Sequence, residues 1–144
     1  MTEIEPIRLL GKLDFMTTYL DRLKAYESVT LEEYLADYDK QLVVERLLQL
    51  IIQVALDLNR YFLKQLQVEQ PAKNFDGFID IAKHGIITSE LAEILAESGS
   101  LRNRLVHVYD EINPVLVYRS IPKALQYYPI YQRQVTAYID SLEV

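Results

Sequence analysis

The chain has 144 residues, the length of one domain, and we expect residues 1–144 to fold around a single core. Half of the residues are apolar and four are glycine, which indicates a globular and mostly helical protein. The absence of cysteine excludes a disulfide framework and thiolate-based metal or redox chemistry. The net charge of −6 argues against a protein that binds nucleic acid through a broad basic face, but it permits an enzyme that holds a few phosphates locally.

The chain contains no apolar run of about 18 residues, the length that a transmembrane helix requires. Its first residues lack the basic and apolar regions of a signal peptide. We therefore expect a cytoplasmic protein that does not associate with a membrane. The acidic residues at 32–33, 37 and 39 have no histidine at ligand spacing. We interpret them as helix-start charges and expect neither a metal ion nor another cofactor.

Helical periodicity begins near the start of the chain. A first helix is predicted over residues 6–26, because apolar side chains recur at helical spacing: Leu9, Leu13, Met16, Leu20 and Leu23. Thr30 and Glu33 have the spacing of a capping box that starts a second, short helix. A long helix is then predicted over residues 39–67, and it is apolar on most sides. We interpret it as a central helix, or as one that also packs against a second subunit.

The next segments carry several helix starts and stops. Asn74 is predicted to cap a helix that ends at Lys83, with Gly85 in the left-handed conformation behind it. Thr88 or Ser89 is predicted to cap another short helix.

Glycine and proline are predicted to divide the rest of the chain into short helices. Gly99 would close one helix, and Ser100 would cap a separate one over residues 101–112. Asn113 and Pro114 then form a cap and a first-turn proline, so a further helix begins there. Pro122 and Pro129 are predicted to bend or divide it, leaving a short last helix over residues 129–142. Strand-like alternation is absent, and the predicted fold class is all-α.

The candidate site lies in the segment from residue 102 to residue 109. At about 100° per residue, a helix places Arg102, Asn103, His107 and Tyr109 on one broad arc. An apolar stripe lies opposite and is predicted to face the core: Leu101, Leu105, Val108 and Ile112. A histidine in a helix is often only structural, and arginine-rich faces are often only solvated. The four polar groups together fit a site better than they fit packing.

These residue types suit metal-free cleavage of RNA by its own 2′-hydroxyl. The unperturbed pKa of histidine is about 6.5, so His107 is suited to exchange a proton at cytoplasmic pH. Arg102 is suited to hold a phosphate and to offset the charge that grows in the transition state, with Arg104 nearby. Asn103 lies one helical turn from His107 and is a supporting residue that would orient the imidazole or a phosphate. One chain supplies a single such histidine, whereas a two-fold dimer would supply both an acid and a base.

The spacing of Arg102, His107 and Tyr109 resembles the R-x4-H-x-Y signature of HepT-type HEPN proteins. The likeness extends over roughly residues 5 to 140. It includes the ranges 39–59, 78–92 and 109–114, around the long predicted helix and on both sides of the motif. Pro122 departs from the pattern, because continuous helix is expected there.

The resemblance implies a homodimeric HEPN-type up-and-down helical bundle with a short extra C-terminal helix. It implies the toxin half of a HEPN/MNT toxin–antitoxin pair: a metal-independent endoribonuclease with catalytic residues Arg102 and His107 at the dimer cleft. The RNA substrate would be messenger or transfer RNA. The implied partner is a cognate nucleotidyltransferase antitoxin with an MNT domain, which would transfer AMP from ATP to Tyr109.

Two other hypotheses stay open. The chain is alternatively a non-catalytic helical subunit that binds a nucleotidyltransferase and shapes its substrate choice, or a plain dimeric scaffold that would leave the polar arc unexplained. His84, beside Gly85 at a predicted helix end, is interpreted as structural. The tyrosines other than Tyr109 are expected to pack through their rings and to keep their hydroxyls at the surface.

Overall fold

The structure is a computed structural model that describes residues 6–106 and 113–142, except for the side chains at 99–100 and 102–106. The described residues form six α-helices and no strand. The helices are α1 (Pro6–Lys24), α2 (Leu31–Ala36), α3 (Tyr38–Gln65), α4 (Asp76–Lys83), α5 (Ser89–Val106) and α6 (Pro114–Leu142). None of the helices in these ranges is long and apolar enough to cross a membrane.

Helix α3 lies at the centre of the bundle, and each of the other five helices packs against it. Its buried face is wide, as the apolar pattern predicts, and comprises Val44, Leu47, Leu48, Ile51, Ile52, Ala55, Leu56, Leu58, Asn59, Phe62 and Leu63. The interpretation of this segment as a central helix is confirmed.

Helices α1 and α6 pack against each other and against α3. The buried residues of α1 are the five of the predicted stripe: Leu9, Leu13, Met16, Leu20 and Leu23. The Gln132 amide ties the two helices together, because it donates to the carbonyl oxygen of Leu13 (3.2 Å) and to Thr17 Oγ1 (2.8 Å). At the other end of α6, the Tyr118 hydroxyl donates to the carbonyl oxygen of Val29 at 2.6 Å.

Caps define most of the helix starts. Thr30 and Glu33 form the predicted capping box of α2, in which the Thr30 side chain accepts from the Glu33 N–H at 3.1 Å. Asp37 caps α3 by accepting from the Lys40 N–H at 3.1 Å, and its carboxylate also pairs with the Lys40 ammonium at 2.9 Å. These hydrogen bonds, with that to the ammonium group first, hold the pKa of Asp37 below its usual value. The carboxylates of Glu33 and Asp37 therefore act as helix caps.

Helix α4 ends in the predicted left-handed turn but begins differently from the prediction. Gly85 has φ +79°, and the N–H groups of Gly85 and Ile86 donate to the carbonyls of Ala82 and Ile81, as in a Schellman motif. The prediction that Asn74 caps the helix is wrong, because α4 begins at Asp76 and its N-terminal cap, Phe75, makes no side-chain hydrogen bond.

Helix α5 is continuous, so the prediction that Gly99 ends one helix and Ser100 starts another is wrong. Its start is as predicted, since Thr88 Oγ1 accepts from the Leu91 N–H at 3.3 Å. An interior glycine costs a helix only about 1 kcal/mol relative to alanine. The core contacts of Leu95 before Gly99 and of Leu101 after it run on through this position, and we infer that they offset this cost.

Helix α6 is likewise one element, and the prediction of a short separate helix over residues 129–142 is wrong. Pro122 and Pro129 both lie inside it. Each proline removes one backbone hydrogen bond. The buried face continues across both positions: Val117, Ile121, Ala124, Tyr128, Tyr131, Val135 and Ile139. Tertiary packing of this face therefore overrides the local cost of the prolines.

Candidate functional site

The final turns of α5 carry the first part of the motif. Arg102 and Asn103 lie within Ser89–Val106, where the backbone is helical. His107 and Tyr109 lie outside the described residues. The chain re-enters the described part at Asn113, whose Oδ1 caps α6 by accepting from the Val115 N–H at 3.0 Å, as predicted.

Helices α5 and α6 run antiparallel beside each other. The Thr88 N–H donates to Gln134 Oε1 at 2.9 Å near the start of α5, and Ser98 contacts Tyr128 near its middle. Later positions in α5 therefore meet earlier positions in α6, and Arg102 and Asn103 lie in the part of α5 that is near the start of α6.

The predicted apolar stripe of the motif helix is confirmed at one position. Leu101 is partly buried and packs against the core. The side chain of Leu105 is not among those described, and Val108 and Ile112 lie outside the described residues.

A groove of about 520 Å³ opens between α3, α5 and α6 next to the motif. Leu101 lines it, and Arg102 is the next residue along α5. The residues that line the groove are Leu48, Ile52, Ile94, Leu95, Glu97, Ser98, Leu101, Leu116, Ser120, Lys123, Ala124, Tyr127 and Tyr128. The lining is mainly apolar, with charged and hydroxyl-bearing side chains among it, so it suits a surface that contacts a partner molecule.

One negatively charged and one positively charged side chain line the groove. Glu97 and Lys123 are both exposed, and neither forms an ion pair within the described part of the chain. Ile94 and Leu116 are also exposed, 39% each, although both are apolar. Together these four side chains form a surface that is partly charged and partly apolar, and residue spacing alone did not predict it.

The expectation that tyrosine hydroxyls stay at the surface is wrong for three residues. Tyr34, Tyr128 and Tyr131 are fully buried, and burial raises the pKa of each hydroxyl above its usual value. The Tyr131 hydroxyl donates to Asn59 Oδ1 at 2.7 Å, and the Tyr128 hydroxyl contacts Ser98 Oγ at 2.5 Å. Because burial raises their pKa values, the hydroxyls of Tyr128 and Tyr131 are protonated inside the bundle.

The other candidates occupy structural positions. His84 is exposed and forms the C-terminal cap of α4, in keeping with its structural interpretation. Within residues 6–106 and 113–142, no group of three or more histidine, aspartate or glutamate side chains is placed to hold a metal ion.

Comparison with known proteins assigns the chain to a family. The family model described as ribonuclease HepT-like matches residues 16–135. The chain belongs to the HepT-like family. A relative called tRNA nuclease HepT, from Aphanizomenon flos-aquae (strain 2012/KM1/D3), is 46% identical over 143 residues. The match covers 99% of this chain and 97% of that relative.

Solved structures share the fold of this HepT-like chain. A tri-AMPylated HEPN toxin from Shewanella oneidensis, in complex with MNT antitoxin, is 23% identical with a TM-score of 0.80 and covers 90% of this chain and 96% of its own. A toxin–antitoxin with AMP-PNP is 22% identical with a TM-score of 0.81, at 90% and 97% coverage. A cytosolic protein of unknown function from Bacillus subtilis is 18% identical with a TM-score of 0.82, at 98% and 94% coverage. The predicted HEPN-type helical bundle is thereby confirmed.

Proposed function

We propose that this protein is the toxin of a toxin–antitoxin pair and acts as a metal-independent endoribonuclease. The observation that carries the proposal is the 46% identity to a tRNA nuclease HepT along nearly the whole chain. Arg102, His107 and Tyr109 add the chemistry, since their spacing has the R-x4-H-x-Y form. The relative's name favours transfer RNA over messenger RNA as the substrate.

In the proposed reaction, the RNA supplies its own nucleophile. A histidine removes the proton of the 2′-hydroxyl, whose oxygen then bonds to the neighbouring phosphorus while the bond to the 5′-oxygen breaks. A second histidine gives that leaving oxygen a proton, and the product strand ends in a 2′,3′-cyclic phosphate. Arg102 offsets the negative charge on the pentacovalent phosphorus, and Asn103 orients His107 or the phosphate.

The proposed site needs two copies of the chain, because each copy carries one motif histidine. The exposed apolar side chains of Ile94 and Leu116 support an interface next to the motif, since such residues at a groove mark contact surfaces. Glu97 and Lys123 add one negative and one positive charge to the same surface. A two-fold axis through an interface of this kind would place Glu97 of each copy opposite Lys123 of the other copy.

A cognate nucleotidyltransferase antitoxin of the MNT class would control the enzyme. In this step the Tyr109 hydroxyl oxygen attacks the α-phosphorus of ATP, the tyrosine loses its proton, and pyrophosphate leaves. The attached phosphate would pair with Arg102, so the adduct would exclude RNA by charge and bulk. The similar fold of a tri-AMPylated HEPN toxin in complex with MNT antitoxin supports this assignment.

Cleavage of transfer RNA by the purified chain tests the proposal. Arg102→Ala and His107→Ala should each lower the cleavage rate by a factor of about 100 or more, because each removes a group that acts in the transition state. His84→Ala is the matched control, since it removes the chain's other histidine from an exposed helix end. Its rate should equal that of the wild type.

Two further measurements sharpen the test. Cleavage should persist in EDTA and yield 2′,3′-cyclic phosphate ends, and a substrate with 2′-deoxyribose at the cleavage position should stay intact. A folded His107→Ala variant that cleaves like the wild type would contradict the mechanism. A wild-type dimer that binds the nucleotidyltransferase but cleaves no RNA would instead support the non-catalytic subunit.

A further inference from the structure

Two hydroxyl groups join the motif helix to α6. Tyr128 is 2% exposed, and its ring packs edge-on against the ring of Tyr131, with the centroids 6.3 Å apart. Its hydroxyl oxygen lies 2.5 Å from Ser98 Oγ, across the boundary between α6 and α5. Both residues line the groove beside the motif.

The direction of this hydrogen bond follows from the partner of Ser98. Ser98 Oγ lies 2.6 Å from the carbonyl oxygen of Leu95, which only accepts, so the serine donates its single proton there. The Tyr128 hydroxyl must then be the donor to Ser98 Oγ. A directed chain therefore runs from Tyr128 through Ser98 to the backbone of α5.

The position of this link on α5 is what relates it to the motif. Ser98 lies four residues, about one helical turn, before Arg102. A second link to α6 lies at the far end of this helix, where Gln134 Oε1 accepts from the N–H of Thr88, the residue before α5. Among the described residues, the Ser98–Tyr128 pair is thus the last hydrogen bond that ties α5 to α6 before the motif.

A groove borders α5 on the side where Ser98 lies. The groove of about 520 Å³ lies between α5, α6 and the α3 residues Leu48 and Ile52. A helix that borders open space on one side has room to rotate or shift, whereas a close-packed helix does not. The hydrogen bond from Tyr128 to Ser98 fixes the position of α5 on the side of this groove.

We propose that Tyr128 is a positioning residue for the motif, because its hydroxyl holds Ser98 and so sets the rotation and depth of the last turns of α5. The inference rests on the proposed ribonuclease function. Misplacement of a catalytic group by about 1 Å costs a rate factor of about 100, so a helix that shifts slightly would lose turnover while it still binds RNA.

Tyr131 offers a matched control on the same helix. It is as buried as Tyr128, and its hydroxyl also makes a hydrogen bond, but to Asn59 on α3 rather than to the motif helix. Tyr128→Phe and Tyr131→Phe each remove one buried oxygen and keep the ring. They should lower thermal stability to a similar extent, so a difference in activity reports the link to α5.

The experiment compares kcat and KM for RNA cleavage by the two variants as dimers. We expect Tyr128→Phe to lower kcat by a factor of about 10 to 100 and to leave KM within about two-fold of the wild-type value, while Tyr131→Phe changes neither. Ser98→Ala should match Tyr128→Phe, and the double variant should be no worse than either, because each change removes the same hydrogen bond between α5 and α6. Ser98→Thr, which keeps a hydroxyl, should restore kcat.

Equal kcat values for the two phenylalanine variants would overturn the proposal, and so would additive losses in the double variant. A readout that needs no catalysis separates this inference from the proposed function. In NMR spectra, Tyr128→Phe should shift the imidazole resonances of His107 but not those of His84, and Tyr131→Phe should shift neither. If the wild type cleaves no RNA, the ribonuclease proposal fails, and an unmoved His107 signal would then overturn the positioning role as well.

Discussion

Tyr109 is the residue at which the proposed toxin would be switched off. Tyr109→Phe has no hydroxyl oxygen to attack ATP, so incubation with ATP and the cognate nucleotidyltransferase should add no AMP to this variant. The wild type should gain the mass of one or more AMP groups on the peptide that contains Tyr109. Tyr118→Phe, which loses a hydroxyl bonded to the Val29 carbonyl, should be modified like the wild type. Mass spectrometry that finds the label on another tyrosine, with Tyr109 unmodified, would contradict this assignment.

Single residues differ in how far the sequence reveals their roles. The roles proposed for Arg102 and Asn103 could be inferred from the sequence because the other motif residues lie within two helical turns along the chain. Ser98 and Tyr128 are 30 residues apart, and Asn59 and Tyr131 are 72 apart. No local spacing pairs such hydroxyls, since only the packing of whole helices brings them together. The prediction that these tyrosine hydroxyls lie at the surface was wrong for the same reason.

At the scale of secondary-structure elements, most caps were predictable, with Asn74 the exception, and interior breaks were not. The capping box at Thr30 and the left-handed turn at Gly85 are local hydrogen-bond patterns, and both predictions are confirmed. Gly99 and Pro122 have the same local signals as helix ends, yet the helices continue through them. Their continuation depends on buried faces that extend across each position, which a local signal does not contain.

Substitutions at two glycines test how the backbone conformation of a residue affects the stability of these helices. Gly11 lies inside α1, and Gly85 lies at φ +79° behind α4. An added Cβ would meet no atom within 4 Å at either position, so alanine there changes only the backbone preference. Gly11→Ala should raise the free energy of unfolding by about 0.5–1 kcal/mol. Gly85→Ala should lower it by about 1–2 kcal/mol, because alanine resists the left-handed conformation. Urea denaturation of both variants measures the effect, and a change of the same sign in the two would contradict this account.

For the whole molecule, the predicted arrangement around one central helix holds because the apolar pattern of α3 reports burial directly. Its wide buried face accounts for the packing of all five other helices. The pattern also permitted contact with a second subunit. That contact of α3 stays a prediction, and the dimer proposed above instead uses the groove side of α5 and α6, where Ile94 and Leu116 are exposed. The apolar periodicity of a single helix does not predict this surface, since its residues come from two helices.

The proposed dimer predicts that a charge in the groove separates the two copies. Leu116→Glu places a carboxylate on the proposed interface, where association would bury it without a partner, whereas the free chain leaves it in water. Leu10→Glu is the matched control, because Leu10 and Leu116 are each 39% exposed and Leu10 lies on α1, away from the groove. Sedimentation should show a monomer for Leu116→Glu and a dimer for both Leu10→Glu and the wild type. RNA cleavage should fall with dimerisation, by a factor of about 100 or more, since a monomer lacks the second histidine. A fully dimeric Leu116→Glu would show that the copies meet elsewhere, and an active monomer would show that one motif suffices.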